Sequence, residues 1–498
     1  MNLLLAERKT LSPLVPVFIL LGLALRVIFW TGPTGSDDAN YFDFAAKFVS
    51  FQPFSELHHS VRLVFLAVIG APAVLLDSMS VGIAVNVLLS LVNDLITVWI
   101  AYRLFGERAA VAAAFVMAFC GINIVYPSTF LPDTLLTTLF LVAFLLVERA
   151  TATAAVSWRW MFAAGLATAA AYSVKETGIL LVPPVLLFVF LRARQPGGRW
   201  IFPLALYGVG IAVGVLIENT IYFAYTDHFF YRQLALAKAN ETLLGEGSSL
   251  GKFIRETGEH LTRFATRHVA YGTVAMLAAI PLWVLMLRDR GVGRLVALIG
   301  GFTLAYLLVG TTSLTQLVAL PYQPRYFQPV IPFAALALAE GYADAAAEWP
   351  AAKVVAYIVA ALVAVPSVLA APLVAGNQYN EAYYRNVAAI APLLISSGKP
   401  VFMERGQLDT VRHFTSRETY SGLSASSTGS TAAGYYIVNP TRTDWRQLAQ
   451  QLGAEHAFEV HTDTRTYRRY FPNIELPDLS PIDRRRVVVL QKPAKTEP

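Results

Sequence analysis

The sequence predicts a polytopic α-helical membrane protein with about 11 transmembrane helices and a small C-terminal α/β domain. The chain has 498 residues, of which 56% are hydrophobic and 14% are charged. In a typical soluble protein about a quarter of the residues are charged, and they cover its surface. Apolar stretches of about 20 residues, each long enough to cross about 30 Å of hydrocarbon, recur as far as residue 376. These observations exclude an ordinary soluble enzyme.

Charge and cysteine content narrow the class further. The formal net charge is +6, which in a membrane protein reflects basic cytoplasmic loops rather than a nucleic-acid surface. We therefore expect no nucleic-acid partner. The single cysteine, Cys120, lies within an apolar stretch, so the chain has no intramolecular disulfide.

Apolar stretches mark the candidate spans. They lie at about 13–31, 80–102, 109–127, 134–148, 159–174, 178–193, 200–217, 269–287, 295–312, 328–346 and 351–372. One further stretch, Leu63–Leu76, is short and contains Pro72. Whether this stretch crosses the membrane decides on which side of the membrane each later loop lies.

Short arginine-rich links resolve that choice. They are Arg103–Arg108, Arg149–Arg159, Arg192–Arg199 and Arg288–Arg294. Cytoplasmic short loops collect Lys and Arg. The basic N-terminus and all four links fall on the cytoplasmic side only if Leu63–Leu76 lies at the interface. We therefore predict an interfacial or re-entrant helix there.

This topology divides the chain into two predicted domains. Residues 1–376 form the transmembrane module, whose first outer loop is 32–79, and residues 377–498 form an outer domain. The turn 127–133, the Lys175-Glu176 turn and the segment 218–268 also lie outside.

The tail from residue 377 differs from the rest of the chain. Tyr435–Val438 and Val487–Leu490 are typical of strands, and residues 442–454 suit an amphipathic helix. The stretch 421–434 is rich in Ser and Gly, which predicts a loop or linker. A small α/β domain is the fold that fits these elements.

An acid pair, Asp37-Asp38, follows the first span. Adjacent carboxylates beside a membrane suit a general base, or a metal site if a third ligand joins them. A structural alternative is a helix N-cap, in which Ser36 or Asp37 caps a helix over Ala39–Val49. A cap needs only one acid, so we expect a functional role for at least one of the pair.

Further charged residues begin or interrupt later spans. Asp133 follows Pro132 at the start of a span, where an acid is also an ordinary helix-start residue. Lys175-Glu176 separates two apolar stretches without a polar loop. Ionisable groups at that depth are costly, so the two residues have a functional role or pair with each other.

Arginine and histidine complete the candidate set. Arg325, in Pro321–Tyr326, is a planar donor suited to a phosphate, or else an interfacial anchor together with Tyr326. Arg26 lies within the first span and could snorkel or face a cavity. His58 and His59 are adjacent, so they point in different directions and make a weak metal site by themselves.

Motifs of other enzyme classes are absent. The sequence contains no P-loop, no GxGxxG after a strand, no HExxH and no GxSxG. Nucleotide-driven and hydrolytic functions therefore lack support.

The order of these features over about the first 350 residues resembles the GT-C superfamily of membrane glycosyltransferases. More narrowly, it is similar to the protein O-mannosyltransferase and lipid A aminoarabinose transferase branch. The shared features, in chain order, are the acid pair Asp37-Asp38, the interfacial helix Val61–Leu76, the link Arg103–Arg108, the span-heading Asp133, the glycine-rich Gly165–Gly178 with Lys175, and Pro324–Pro332.

The resemblance implies a donor of the polyprenyl-phosphate-sugar type and transfer to a hydroxyl on the outer, periplasmic side of a bacterial inner membrane. The acceptor would be lipid A, a cell-surface glycan or a protein. Direct displacement by that hydroxyl implies inversion at the anomeric carbon. In some GT-C branches acids hold a divalent metal, but here we expect no metal and no other cofactor.

The resemblance also implies residue roles. Asp37 or Asp38 would deprotonate the acceptor, with Asp37 favoured because it is nearer the span, and Asp133 would position the acceptor. Lys175, Arg325 and Tyr326 would bind the donor phosphate. Further possible site residues are Glu176, Arg26, His58 and His59.

Other functions remain open from the sequence. A transporter or flippase for a lipid-linked sugar would show internal symmetry and charges near mid-membrane, and neither is evident. A ligase or polymerase would share the lipid-linked substrate but not the early acid pair. A non-catalytic assembly subunit is the remaining alternative.

Overall fold

The computed structural model describes most of the chain, in two compact units. The membrane unit consists of Met1–Trp30 and Tyr41–Ala371, and the C-terminal unit consists of Thr31–Asn40 and Pro372–Pro498. The described residues are 11–32, 37–54, 58–152, 156–193, 201–244, 249–267, 271–288, 291–311, 319–348, 350–377, 381–404, 407–408, 411, 417–426, 432–438, 445–460 and 487–493.

Helices account for nearly all of the described membrane unit. They are α1 (Leu14–Ile28), α2 (Asp37–Val49), α3 (Leu63–Phe65), α4 (Ala71–Leu75), α5 (Met79–Phe105), α6 (Glu107–Phe119), α7 (Gly121–Val125), α8 (Asp133–Ala150), α9 (Trp158–Val174), α10 (Val182–Ala193), α11 (Ile201–Thr226), α12 (Tyr231–Leu244), α13 (Leu250–Thr262), α14 (Thr273–Met286), α15 (Val292–Val309), α16 (Ile331–Glu348) and α17 (Pro350–Asn377). Shorter 3-10 turns lie at His58–Val61, Tyr126–Ser128, Glu176–Leu181 and Pro324–Val330, and π turns at Leu66–Gly70 and Arg263–Arg267.

Three of the described helices are long and apolar enough to cross a membrane by themselves, namely α5, α11 and α15. A fourth span is possible where α6 and the segment Gly121–Ser128 meet at a bend of 63°. Several other apolar helices, including α1 and α14, are shorter. The apolar stretch at Leu63–Leu75 is also short, and a π turn interrupts it.

The helix that contains the predicted span 200–217 is longer than that span. It continues as α11 to Thr226, so the segment 218–268 begins as helix. That segment also contains α12 and α13. Glu218 therefore lies inside an apolar helix, and the structure buries it.

Glycines allow α9 and α11 to pack backbone to backbone. A Cβ atom added to Gly165 would overlap the carbonyl oxygen of Tyr207, and one added to Gly210 would overlap that of Phe162. Small residues permit such close approach between membrane helices, where van der Waals packing replaces the hydrophobic effect as the driving force. The Tyr207 hydroxyl lies 3.0 Å from Thr168 Oγ1 and joins the same two helices. This packing fixes the position of the last turn of α9.

A buried ion pair joins α1 to α5. Arg26 Nη1 donates to Asp94 Oδ2 at 2.6 Å and Nη2 donates to Oδ1 at 3.0 Å. Arg26 Nε also donates to the carbonyl oxygen of Asn123 at 2.8 Å. These bidentate contacts give Arg26 a structural role in the packing of the helices.

The described C-terminal unit contains a five-stranded mixed sheet. Its elements are α18 (Glu381–Ser396), β1 (Val401–Glu404), α19 (Arg417–Ser421), β2 (Leu423–Ser426), β3 (Gly434–Val438), α20 (Trp445–Leu452), β4 (Glu455–Val460) and β5 (Val487–Lys492). The strand order is β2-β1-β3-β5-β4, in which β2, β1 and β3 are parallel and β5 is antiparallel to both of its neighbours.

Alternating side chains give this sheet two apolar faces. Val487 and Val489 pack with Tyr384 and other residues of α18, whereas Val488 and Leu490 pack with Leu452 of α20. The period of two follows from the pleat of the strand. β3 and β5 contain the two segments that the sequence predicts as strands, and α20 lies within the predicted helix 442–454.

The predicted loop over 421–434 was wrong in its first part. Residues Leu423–Ser426 form β2, which pairs in parallel with β1, and Leu423 is buried in the core against α18. Sheet pairing and burial of Leu423 outweigh the weak strand preference of Ser and Ala.

Replacement of Gly210 tests the close packing of α9 and α11. Gly210→Ala is expected to destabilise the protein by about 1–3 kcal/mol, because its Cβ meets backbone that cannot move aside. Gly208→Ala is the matched control, since a Cβ at Gly208 meets no atom within 4 Å. Chemical unfolding of both variants in the same detergent gives the comparison, and equal stability of the two would contradict the packing described.

Candidate functional site

A buried ion pair joins the start of α8 to the end of α9. Asp133 is the first residue of α8, after Pro132, and Lys175 follows the last residue of α9 with extended backbone. Lys175 Nζ donates a short hydrogen bond to Asp133 Oδ1, and both side chains are buried. The extended backbone turns the chain away from α9 at Lys175, which directs the ammonium toward α8.

Arg325 and Tyr326 bring a third chain segment to this pair. Both lie in the 3-10 turn Pro324–Val330, and Arg325 Nε lies 3.9 Å from Asp133 Oδ2. Lys175 Nζ lies 3.6 Å from the centre of the Tyr326 ring, a cation–π contact. Asp133 Oδ2 makes no hydrogen bond within the described residues. A single carboxylate therefore faces two cations.

Glu176 connects this group to a second set of buried charges. Glu176 Oε2 lies 3.1 Å from Arg62 Nη2, and Oε1 lies 3.5 Å from Arg232 Nη2. Arg232 Nη1 also contacts Glu218 Oε1 at 2.5 Å. The mutual Lys175–Glu176 pair considered from the sequence is replaced by these contacts, in which the two neighbours have different partners.

The two arginines of this set also cap α9. Arg232 Nη2 donates to the carbonyl oxygen of Tyr172 at 2.6 Å, and Arg62 Nη1 donates to that of Val174 at 3.1 Å. The last carbonyls of a helix have no partner within the helix and carry partial negative charge. Two guanidinium groups therefore satisfy the helix end that presents Lys175.

Together these seven residues form the charged network: Arg62, Asp133, Lys175, Glu176, Glu218, Arg232 and Arg325. Among the described contacts, four cations face three carboxylates. Guanidinium and ammonium groups brought together in this way are suited to an anionic ligand such as a phosphate.

A cavity of about 250 Å³ adjoins the charged network. Ile179, Ile211 and Val215 line it with aliphatic groups, and Glu218 and Arg232 line it with charge. A cavity lined by both aliphatic and charged side chains suits a ligand that has apolar and polar parts.

The acid pair predicted from the sequence lies at the start of α2. Asp37 and Asp38 form the first turn of α2, where Asp38 is buried and Asp37 is partly exposed. They belong to the stretch Thr31–Asn40 of the C-terminal unit. Ser36, the alternative cap, lies outside the described residues.

His58 and His59 belong to the membrane unit. They form the first half of the 3-10 turn His58–Val61, and the His59 ring lies 5.0 Å from the ring of Tyr41. The Ser60 hydroxyl, next in the chain, lies 2.8 Å from that of Tyr231.

Four of the predicted site residues belong to the charged network, namely Asp133, Lys175, Glu176 and Arg325. Arg26 lies in its separate ion pair with Asp94.

Sequence reasoning missed three members of the network. Arg62 precedes the stretch Leu63–Leu76, and Glu218 and Arg232 lie in the segment 218–268, which was predicted only as an outer segment. A signal for Glu218 exists, since it is an acid within the continuous apolar run Ile201–Thr226. Arg232 carries no comparable signal, because its partners are 14 to 171 residues away along the chain.

Comparison with known proteins identifies the fold. Residues 63–222 match the family described as dolichyl-phosphate-mannose-protein mannosyltransferase. The crystal structure of ArnT from Cupriavidus metallidurans bound to undecaprenyl phosphate matches with a TM-score of 0.57 and 16% identity, over 96% of this chain and 97% of that one. The chain has the GT-C fold. This result confirms the resemblance to the GT-C superfamily that the sequence predicts.

Archaeal proteins of the same fold are also similar. The Archaeoglobus fulgidus oligosaccharyltransferase tethered to an acceptor peptide matches with a TM-score of 0.53 and 12% identity, over 91% of this chain and 72% of that one. AglB from the same organism, in complex with an inhibitory peptide and a dolichol-phosphate, matches with a TM-score of 0.51 and 13% identity, over 92% and 70%. No curated protein sequence matches this chain.

Removal of Arg232 tests the charged network. Arg232→Met is expected to cost about 3–5 kcal/mol of unfolding free energy, because it leaves Glu218 buried without its cation. Adding Glu218→Gln should recover part of that loss. Arg263→Met is the matched control, since its pair with Glu259 is about half exposed and worth at most about 1 kcal/mol. Equal unfolding of the Arg232 and Arg263 variants in detergent would show that the network does not stabilise the fold.

Proposed function

We propose that this chain is a glycosyltransferase that moves a sugar from a polyprenyl-phosphate-linked donor to an acceptor hydroxyl. The observation that carries the proposal is that Lys175 and Arg325 lie together beside Asp133, in a chain with the GT-C fold. The network suits a lipid-linked phosphate, because the adjoining cavity offers aliphatic walls beside buried charge.

The donor phosphate would bind to Lys175 and Arg325. Both cations lie beside the same carboxylate, Asp133, so a phosphate could contact the two together. Arginine offers a planar pair of donors and lysine a compact charge. Relatives of the same fold hold undecaprenyl phosphate and dolichol-phosphate, which supports a donor of this class. Tyr326 would shape the pocket through its contact with the Lys175 ammonium.

Asp133 has a different proposed role from the acceptor positioning that the resemblance implies. Its carboxylate contacts Lys175 directly and lies beside Arg325. These contacts support a role in orienting the two cations. Glu176 would act similarly through Arg62 and Arg232.

A carboxylate of the acid pair would act as the base. We favour Asp37, because it is partly exposed whereas Asp38 is buried. The acceptor oxygen, losing its proton to this carboxylate, would attack the anomeric carbon while the bond to the phosphate oxygen breaks. The leaving phosphate is already ionised, so it needs cations rather than a proton donor. A single displacement of this kind inverts the anomeric carbon, and we propose that it needs no metal or other cofactor.

The proposed topology has about 11 spans. Residues 1–376 would form the transmembrane module and residues 377–498 a domain on the periplasmic side of a bacterial inner membrane. The acceptor would be lipid A, a cell-surface glycan or a protein, and the outer domain would take part in its recognition. Mass spectrometry of envelope lipids, glycans and proteins, with and without the gene, would identify the missing sugar increment and its acceptor.

Substitution of the acid pair tests the proposed base. Asp37→Asn is expected to lower the rate of transfer about 10²- to 10⁴-fold with little change in donor affinity, because only the proton acceptor is lost. Asp38→Asn makes the same change at the neighbouring carboxylate, and its rate of transfer is compared with that of Asp37→Asn. The assay follows release of polyprenyl phosphate from the purified donor.

Full transfer by the doubly substituted protein would reject catalysis by the acid pair. If the unsubstituted protein carries the intact donor across a vesicle membrane without cleaving the sugar–phosphate bond, it is a transporter or flippase instead.

Substitution of Lys175 tests the donor site. Lys175→Met is expected to weaken donor affinity about ten- to hundred-fold, which corresponds to loss of one charged hydrogen bond of about 1.5–3 kcal/mol. Lys399→Met, which removes an exposed ammonium from the C-terminal unit, is the control. Titration with polyprenyl phosphate measures both variants, and unchanged affinity in the folded Lys175 variant would place the donor elsewhere.

A further inference from the structure

Helix α13 carries an apolar face that no other described part of the protein covers. None of its residues from Leu250 to Thr262 is fully buried. Leu250, Ile254 and Leu261 are 61%, 60% and 43% exposed, respectively. At 100° per residue these three side chains fall within a narrow arc of the helix surface. Large apolar side chains arranged this way indicate an interaction surface.

The opposite side of α13 is charged. Lys252, Glu256, Glu259 and Arg263 lie on it, and Glu259 pairs with Arg263 Nη2 at 3.2 Å. A helix with one apolar arc, one charged arc and low overall hydrophobicity is suited to lie in the plane of a membrane surface rather than to cross it.

A third side of the helix attaches it to the membrane unit. The His260 ring lies 5.3 Å from the Tyr322 ring, and Phe264, just beyond the helix, lies 5.1 Å from Phe327. Burial and the nearby Arg263 lower the pKa of His260, so the imidazole that packs on Tyr322 is neutral at pH 7.

These contacts fix the depth of α13. Tyr322 and Phe327 lie between the end of α15, at Val309, and the start of α16, at Ile331. α15 is one of the three described helices that are long and apolar enough to cross a membrane alone, and if it does so its end lies at the membrane surface. α13 packs against this region and is therefore level with the surface of the bilayer.

We propose that α13 is an interfacial helix whose apolar arc, Leu250, Ile254 and Leu261, inserts among the lipid acyl chains. Its charged arc then faces the head groups and water. A bilayer is the occupant that the geometry favours, because α13 contacts α15 and the apolar side chain at the end of α15, Val309, is exposed as well. A length of about 20 Å for the 13-residue helix lets it lie across several lipid molecules.

This placement has a consequence for the charged network. Tyr322 precedes the turn that carries Arg325 and Tyr326, Phe327 lies within that turn, and the rings of Tyr322 and Phe327 lie 5.6 Å apart. Anchoring α13 in the bilayer would hold this turn at a fixed height relative to the lipid surface. This consequence rests on the proposed function, in which a lipid-linked phosphate would meet Arg325 near the membrane surface.

Spin labelling of the full chain in lipid nanodiscs tests the proposal. The single native cysteine, Cys120, is buried, so a Cys120→Ala background allows one label at a chosen position. Ile254→Cys reports on the apolar arc, and Glu259→Cys is the matched control on the charged arc of the same helix. Power saturation with oxygen, which concentrates in lipid, and with an aqueous nickel chelate gives a depth parameter at each position.

We expect depth parameters of opposite sign, with the label at residue 254 accessible to oxygen and the label at residue 259 accessible to nickel. Equal nickel access at both positions would place the apolar arc in water and overturn the proposal. Low access to both reagents at residue 254, with spin–spin broadening, would instead show that a second copy of the chain covers the arc. Neither result depends on the proposed transfer reaction, which is assayed separately.

Discussion

The ion pair between Lys175 and Asp133 is the interaction on which the candidate site depends. It joins residues 42 positions apart and draws together the start of α8 and the end of α9. Arg325 approaches the same carboxylate from a third segment of the chain. Without Asp133, two buried cations would repel each other across a medium of low dielectric constant, so the carboxylate is what allows both to be present.

The position of Lys175 rests in turn on the backbone of α9. Glycines at the α9–α11 contact remove side-chain bulk, so the helices meet at backbone distance and cannot slide without clashes. Arg62 and Arg232 then bind the carbonyl oxygens of the last turn. Packing against α11 and the contacts of the two arginines therefore hold the helix end that carries Lys175. Less conformational entropy is then lost when the flexible Lys175 side chain binds an anion.

Features of the site that depend on local sequence could be predicted, whereas contacts between residues far apart in the chain could not. Charged residues at the ends of apolar runs are visible as local exceptions, so Asp133, Lys175 and Arg325 could be predicted together with the class of fold. Partner choice could not be predicted, because Glu176 finds arginines from distant segments instead of its neighbour Lys175. β2 was missed for a related reason, since pairing with β1, not the local Ser-rich composition, determines its conformation.

The charge of the network also bears on the proposed chemistry. A sugar linked through a phosphodiester carries one negative charge, which the cations of the network would attract. As the bond to the anomeric carbon breaks, negative charge grows on the departing phosphate oxygen. Lys175 and Arg325 would then attract the transition state more strongly than the bound donor, and only such differential stabilisation accelerates the chemical step. The carboxylate of Asp133 would weaken the hold of the cations on the bound donor, because it already offsets part of their positive charge.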